Sequence, residues 1–127
     1  MQLRIVHNQV LKLDLSKILK EGKKNAQQSC NIAFTTNYDS NDDSIFNIVF
    51  DLEVFNPNDF KLKCKYAVWF KTTEPIDETF KASHFPIVNA PAIAFPFLRS
   101  LISTITLNAG FTPAILPSIN FTEFKNN

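Results

Sequence analysis

Two neighbouring stretches of the chain alternate between apolar and polar residues, and this alternation limits the available folds more than any other feature. The first, residues 45–55, has one apolar side: Phe46, Ile48, Phe50, Leu52 and Val54. The second, residues 60–72, repeats the pattern with lysines on its polar side. A period of two is typical of a strand with one buried face. Because the intervening Asn-Pro-Asn-Asp is a strong turn signal, we predict an antiparallel hairpin.

The register of this hairpin follows from parity. Pairing Val54 with Leu62 keeps both apolar faces on one side of the sheet. The same pairing sets acidic residues of the first strand opposite lysines of the second, as in Glu53 and Lys63. Exposed cross-strand ion pairs contribute about 0.2–1 kcal/mol each, so they help to define the register more than they add stability.

Two further strands precede the hairpin. Residues 29–38 alternate and end at the turn signal Asp-Ser-Asn-Asp-Asp-Ser. Residues 10–16 alternate with three leucines expected on one side: Leu11, Leu13 and Leu15. The polar, Lys-rich residues 17–28 are predicted to connect the two. The sequence therefore predicts a four-stranded antiparallel meander.

Cys30 and Cys64 are the only cysteines of the chain. The predicted strands that carry them flank a third strand, which puts the two thiols roughly 10 Å apart, too far for a disulfide. We expect two reduced, buried thiols. With only two histidines beside them, no metal-ligand spacing can be built.

A helix is predicted for residues 96–109, because Pro96 suits a first helical turn and Gly110 suits a left-handed C-terminal cap. Its apolar residues recur at helical spacing: Phe97, Leu98, Leu101, Ile102 and Ile105. Pro86, Pro91 and Pro96 are expected to fragment the segment before it. The other side of the helix is small and mildly polar and is expected to face either a second chain or solvent: Arg99, Ser100, Ser103 and Thr106.

The composition excludes several classes of protein. A net charge of +1 gives no basic footprint for nucleic acid. The longest apolar run, residues 90–98, is too short to span a membrane, and no signal peptide is expected at the start of the chain. We expect one soluble cytoplasmic domain over residues 1–127.

Phenylalanine dominates the aromatic residues, with 13 Phe against one Trp and two Tyr. Two interpretations stay open: a Phe-rich core, or surplus rings offered to a sister subunit or another partner. Trp69 lies on the polar side of its strand with Val49 and Ala67. These three residues are either a small satellite cluster or a contact patch.

No catalytic motif is recognised in the sequence. Two glycines cannot build a phosphate-binding loop, and the acidic residues cluster in loops at 39–43 and 74–78. A hotdog-type thioesterase needs a carboxylate near its helix, and residues 95–109 hold none. We expect neither an enzyme nor a cofactor, and apolar burial, which has no direction, suits a module that binds polypeptides.

Residues 90–121 resemble the helix-and-loop signature of the SecB-type protein-export chaperones. The matching residues are Pro91, Phe95, Pro96, Phe97, Arg99, Ile102, Gly110, Phe111, Pro113, Leu116, Pro117, Asn120 and Phe121. The resemblance implies an α+β protomer with a four-stranded antiparallel sheet, one long helix packed on it, and a C-terminal apolar loop or short helix. It also implies a homotetramer, built as a dimer of dimers.

Site residues follow from the same resemblance. The expected oligomer interface is Leu98, Leu101, Ile102 and Ile105. The expected client-binding groove is Phe95, Phe97, Phe111, Ile115, Leu116, Phe121 and Phe124, with Tyr66 and Trp69 beyond that segment.

The implied function is that of an ATP-independent chaperone, a holdase, which keeps preproteins unfolded for export from the bacterial cytoplasm. The chain ends soon after Asn120, where SecB proteins commonly continue into a tail that contacts the SecA motor, and the fourth strand presents lysines. Both departures argue against SecA as a partner. A dedicated chaperone of an antitoxin is the alternative. A third hypothesis is a small-ligand-binding module of sheet and helix, which is expected to be a monomer with a closed cavity.

Overall fold

A computed structural model describes residues 1–19 and 27–126 of the chain. Four antiparallel strands form one sheet: β1 (Leu3–Lys17), β2 (Ser29–Tyr38), β3 (Ile45–Asn56) and β4 (Phe60–Thr72). A short helix α1 (Glu78–Lys81), a π-helical turn (Phe85–Asn89) and a long helix α2 (Ala90–Asn108) follow. The helices lie on one face of the sheet, and residues 111–126 form an irregular segment that returns over that face.

The meander of β2, β3 and β4 confirms the predicted register. Val54 pairs with Leu62, and Glu53 pairs with Lys63. The Lys63 Nζ lies 3.6 Å from a Glu53 carboxylate oxygen, and the equivalent Lys65–Asp51 distance is 3.9 Å. All four side chains of these ion pairs are largely exposed, so solvent screens them.

β1 does not continue the meander. The strand order is β1-β4-β3-β2, so β1 pairs with β4 at the far edge and the predicted order was wrong. A connection of the length of residues 18–28 can pass beyond the neighbouring strands, whereas the two short turns cannot. The strand is also longer than predicted and has register shifts after Ile5 and after Val10.

These shifts are β-bulges, and they change which residues of β1 face the helices. The extra residues are Val6 and Leu11, and both are exposed. Leu11 therefore does not share a side with Leu13 and Leu15 as expected, because one inserted residue reverses the parity of a strand. Val10 takes the inward position instead, opposite Tyr66.

The two cysteines are free, as predicted, but only Cys64 is buried as expected, and Cys30 is half-buried. Cys30 pairs with Val54 and Cys64 with Leu52, so β3 separates the two thiols. Burial raises the pKa of the Cys64 thiol to about 11 and raises that of Cys30 as well. Both sulfurs are thus protonated at neutral pH and are poor nucleophiles.

The helical region begins earlier than predicted. α2 starts at Ala90, and Pro96 lies inside it instead of opening it. The segment expected to be fragmented is helical, with Pro86 and Pro91 in the first turns of the π-helical turn and of α2, where an amide hydrogen bond is dispensable. Pro96 is tolerated because packing on the sheet offsets the backbone hydrogen bond that it removes.

The C-terminal end of α2 confirms the predicted cap. Gly110 has φ +91°, the left-handed conformation that glycine adopts without a Cβ clash. The Gly110 N–H donates to Leu107 O at 3.1 Å, and the Phe111 N–H donates to Thr106 O at 3.0 Å. These two bonds form a Schellman motif, which turns the chain back towards the sheet.

The core lies between the apolar face of the sheet and one side of α2. That side carries Ala94, Leu98, Ile102 and Thr106, each four residues after the last. Eight of the 13 phenylalanines are buried here, which favours the Phe-rich core over a large surplus of exposed rings: Phe34, Phe46, Phe50, Phe60, Phe70, Phe80, Phe95 and Phe121. Phe55 and Phe97 are the two exposed phenylalanines.

The segment Phe85–Asn108 is long and apolar enough to cross a membrane by length and composition alone. Because the prolines were expected to break the helix, the longest apolar run predicted from the sequence was residues 90–98. The core helix of a soluble protein meets the same criterion. Leu98 and Ile102 are fully buried against the sheet, as in a core helix.

Candidate functional site

The solvent side of α2 carries large apolar residues beside Ser100, Thr104 and Asn108, although its other side already fills the core. Ile93, Phe97 and Leu107 are exposed, with 47% of Phe97 and 58% of Leu107 accessible. Leu101 lies half-buried between them. An ordinary surface helix has charged or polar residues on this side. A run of exposed apolar side chains marks a surface for a partner.

A depression of about 430 Å³ lies where this side of α2 meets the sheet, and we call it the helix depression. Its lining is Tyr66, Pro96, Phe97, Ser100 and Leu101. The structure thus brings together two predicted groove residues, Tyr66 and Phe97, that are 31 positions apart. Burial raises the pKa of the Tyr66 phenol, and a hydrogen bond with Asn8 partly offsets this rise. The phenol therefore stays neutral, so the depression carries no charge.

A second depression, about 580 Å³, lies at the outer edge of β2, and we call it the edge groove. Its apolar lining combines β2, the π-helical turn and the C-terminal segment: Phe34, Ile87, Val88, Phe121 and Phe124. The ring of Phe34 lies 5.9 Å from that of Phe121 and 5.7 Å from that of Phe124, measured between centroids. Aromatic stacking thus holds the C-terminal segment against the strand.

A buried hydroxyl holds the beginning of the C-terminal segment in place. Thr106 Oγ1 donates to Ile102 O at 2.8 Å and accepts the Ala114 N–H at 2.8 Å. The Asp59 carboxylate also accepts the Thr112 N–H at 3.0 Å. These contacts bury Leu116 completely and leave Ile115 68% exposed. Thr106, expected on the outer side of the helix, therefore lies in the core because its hydroxyl has partners there.

The predicted groove residues divide into three groups. Exposed ones are Phe97 and Ile115. Half-buried ones are Phe111, Phe124 and Trp69. Buried ones are Phe95, Leu116, Phe121 and Tyr66. Of the buried group, Tyr66 lines the helix depression and Phe121 lines the edge groove, while the exposed group presents apolar surface to solvent.

Trp69 lies away from both depressions. Its neighbours Val68 and Phe70 are buried on the helix-facing side, so the alternation of the strand directs Trp69 to the opposite face. There its ring lies 5.0 Å from the ring of His7. Ala67 is fully buried on the same face, which favours the satellite cluster over a contact patch.

The predicted interface residues also divide. Leu98 and Ile102 are fully buried within the protomer, so neither is available to a second subunit in this structure. Leu101 and Ile105 are half-buried on the flanks of α2. The exposed apolar surface of α2 is instead formed by Ile93, Phe97 and Leu107, and Ile93 and Leu107 were not among the predicted site residues. Their signal was the i, i+4 spacing of Ile93 and Phe97, which only becomes readable once α2 is known to begin at Ala90.

Potential metal ligands are not clustered in the part of the chain that the structure describes. Within residues 1–19 and 27–126, no three His, Cys, Asp or Glu side chains are placed to hold a metal ion. Arg99 is the single charged residue of α2. What the surface offers is apolar area and, at the sheet edges, backbone hydrogen-bonding groups.

A four-stranded antiparallel sheet carrying one long helix with an apolar outer side has the fold of a SecB-like chaperone. The structure is similar to that of a SecB-like chaperone of Mycobacterium tuberculosis in complex with a ChAD peptide from the HigA1 antitoxin. The TM-score is 0.71 at 11% sequence identity, over 92% of this chain and 89% of that one. A protein of unknown function from Streptococcus agalactiae shares the fold with a TM-score of 0.52 at 12% identity, over 93% and 98%.

Sequence comparison gives the family. The sequence model of preprotein translocase subunit SecB matches residues 10–126, and the chain belongs to the SecB family. The predicted family and the predicted α+β fold are both confirmed. The dimer of dimers stays a prediction.

The chain is similar to relatives from three organisms, over stretches of different length. An uncharacterised protein of Methanocaldococcus jannaschii is 36% identical over 101 residues, 76% of this chain and 64% of the relative. The protein-export protein SecB of Neorickettsia sennetsu is 38% identical over 64 residues, 50% of this chain and 38% of the relative. That of Anaplasma phagocytophilum is 47% identical over 63 residues, 49% and 40%. The matches thus span less than two thirds of each relative.

Proposed function

We propose that the protein is an ATP-independent chaperone that holds unfolded polypeptides on the apolar side of α2 and in the helix depression. The observation that carries the proposal is the exposure of Phe97, Ile93 and Leu107 on a helix whose opposite side already completes the core. Membership of the SecB family supports the same role in protein export.

Apolar contact explains how such a surface accepts many sequences. Burial stabilises a complex by about 25 cal/mol per Å² of apolar area, whichever residue supplies that area. The neutral Tyr66 at the base of the depression adds a polar anchor without demanding a charge on the client. Weak contacts at several positions then hold an unfolded chain and release it without nucleotide.

Assembly into a homotetramer, as a dimer of dimers, is part of the proposal. A sister subunit would cover the C-terminal part of the exposed side of α2, at Leu107 with Ile105 at its margin, and leave Ile93, Phe97 and the helix depression to clients. A helix with apolar residues on both sides is typical of one packed between a sheet and another chain. Clients would then use the depressions that assembly leaves open.

The identity of the client has two candidates in the cytoplasm, preproteins for export or one antitoxin. The antitoxin is favoured by the similar fold of the Mycobacterium tuberculosis chaperone, which is complexed with an antitoxin peptide. Delivery to SecA has less support, because the lysines of β4 alternate with the acids of β3 and form no acidic surface. A small-ligand-binding module has still less support than delivery to SecA, because both depressions are open to solvent.

Suppression of aggregation tests the proposal with a matched pair of variants. Chemically denatured citrate synthase is diluted into nucleotide-free buffer with a several-fold excess of the protein, and light scattering is followed. Phe97→Ser is expected to lose most of the suppression. Phe55→Ser is the control, since Phe55 has nearly the same exposure, 45%, but projects from the opposite face of the sheet.

Equal suppression by the two variants would show that the α2 surface does not hold clients. Absence of suppression by the unaltered protein would contradict a general holdase. In that case, co-purification of one antitoxin from the native cell would support the dedicated chaperone, and a monomer by light scattering at micromolar concentration would support the ligand module.

A further inference from the structure

The outer edge of β2 is unpaired by any strand that the structure describes. β2 pairs with β3 through a regular ladder from Ser29↔Phe55 to Tyr38↔Phe46, and β3 separates it from the rest of the sheet. In an antiparallel ladder every second residue turns both its N–H and its C=O away from the partner strand. These free groups are a template for another chain.

One residue of the C-terminal segment already uses this template. Asn126 Oδ1 accepts the Phe34 N–H at 2.9 Å, and Asn126 Nδ2 donates to Phe34 O. A carboxamide carries the same donor and acceptor as a peptide group. The exchange of two bonds with one residue is the pattern of a hydrogen-bonded pair in an antiparallel sheet. Asn126 thus takes the place of one residue of a missing strand.

The position of Phe34 defines how far a real strand would extend. Residues two positions away on either side, Ile32 and Thr36, turn their peptide groups to the same edge as Phe34. Thr36 Oγ1 donates to Pro86 O at 3.2 Å, which ties the π-helical turn to this end of β2. The edge groove lies here, so apolar side chains of an added strand would point at Phe34 and Val88.

We propose that the outer edge of β2 binds an extended segment of client polypeptide as an added antiparallel strand, and that Asn126 is an internal competitor which the client displaces. The proposal rests on the proposed chaperone function and names how one part of a client is held. Main-chain bonds to β2 accept any sequence except proline, and the edge groove selects segments with alternate apolar residues.

Weak attachment of the competitor makes displacement feasible. Asn126 offers two hydrogen bonds, whereas a strand of five residues offers bonds at Ile32, Phe34 and Thr36 together. Phe121 and Phe124 stay on Phe34 through aromatic contacts that do not involve its backbone. The segment can therefore release the strand edge while these rings keep it on the sheet.

A synthetic strand tests the pairing. The probe is a fluorescein-labelled peptide with three valines alternating with two threonines between terminal lysines, and its binding is measured by fluorescence anisotropy. In an antiparallel pair the residues bonded to β2 share the face of Phe34, so valines in the groove also supply the bonded amides. N-methylation of the valine amides should weaken binding about tenfold, and N-methylation of the threonine amides less than about twofold.

Equal binding of the three peptides would overturn the proposal. So would weaker binding of the threonine-methylated peptide alone, because a parallel strand reverses which amides are bonded. Should citrate synthase still be protected while the three peptides bind equally, the chaperone function stands and the strand site fails. Loss of both protection and probe binding would remove the chaperone function itself.

Removal of the competitor is the second test. Asn126→Ala should bind the valine–threonine peptide about threefold more tightly or better, because the strand edge is then free. Asn126→Asp should act in the same direction, since a carboxylate cannot donate to Phe34 O. Asn41→Ala is the control, an exposed asparagine in the turn after β2. Unchanged or weaker binding by Asn126→Ala would overturn the role of Asn126.

Discussion

Both sides of α2 carry large apolar residues, but only one side lies in the core. On the sheet side, Leu98 and Ile102 are fully buried within the protomer. On the outer side, Phe97 and Leu107 are about half exposed. The outer side also carries the exposed polar residues Ser100, Thr104 and Asn108, whereas Thr106 is the only polar residue on the buried side. The side that carries Thr106 is the side with hydrogen-bond partners, and it faces inwards.

The two sides of α2 thus separate folding from function within one helix. The inner side stabilises the protomer, and its loss should appear in the free energy of unfolding. The outer side contributes little to that free energy, so its apolar character serves a contact with another chain. Variants on each side should therefore move different measurements.

The largest effect on stability is expected for Ile102→Ala. The change leaves a cavity between α2 and the sheet, which should lower the free energy of unfolding by about 2–5 kcal/mol in urea denaturation. Phe97→Ala on the outer side is the control, and its loss should stay below about 1 kcal/mol. Equal losses for the two variants would abolish the distinction between the sides. Ile102→Asp should unfold the protomer, not merely separate subunits.

The next largest effect is expected for Thr106→Val. Valine has nearly the shape of threonine, but the buried Ala114 N–H would lose its acceptor. The expected loss of unfolding free energy is about 1–3 kcal/mol, with faster proteolysis of the segment after Gly110. Thr106→Ser keeps the hydroxyl and should lose less. A valine variant as stable as the serine variant would show that the hydroxyl does not hold the segment.

A smaller effect is expected for Gly110→Ala, at the end of the helix where both sides terminate. A Cβ at this position would meet no atom within 4 Å, so the cost is backbone strain alone. At φ +91° that cost is roughly 1–2 kcal/mol. Gly110→Asn should cost less, because asparagine tolerates left-handed backbone. Thermal denaturation of the two variants checks this order. Backbone strain predicts that Gly110→Asn is the more stable variant, whereas a packing role for Gly110 does not.

The smallest effect on stability is expected for Leu107→Ser, which removes apolar area from the outer side. The free energy of unfolding should change by less than about 0.5 kcal/mol per protomer, since Leu107 is 58% exposed. The mass in solution should fall, measured by light scattering at equal protein concentration. Unchanged mass, with the unaltered protein a tetramer, would place the subunit contact elsewhere than this part of α2.

Strand periodicity allowed much of the sheet to be predicted. The bounds of β2 and β4 and the pairing of Val54 with Leu62 follow from short turns and parity, which are local. The position of β1 does not, because a long connection leaves the choice of neighbour to tertiary packing. The bulges at Val6 and Leu11 also escape prediction, since an inserted residue looks like any other in the sequence.

The residues of the candidate site were easier to predict from the sequence than their positions in the fold. Residues 90–121 carried the signature of the family, and Tyr66 and Phe97 do line one depression. Leu98 and Ile102 are fully buried within the protomer, and their assignment to an oligomer interface stays a prediction. Phe34 and Asn126 were missed, since a strand becomes an edge only when the sheet order is known.

By itself, the sequence determined the elements and the family: which segments are strands, where the long helix ends, and which residues form the chaperone signature. These properties depend on periodicity and turn chemistry, which act over a few residues. Only the tertiary structure decided which side of α2 is buried, which strand lies at each edge, and that Asn126 meets Phe34. These features bring together residues that are far apart in the chain. Their free energy depends on apolar burial and on the pairing of backbone groups, and not on local conformational preference.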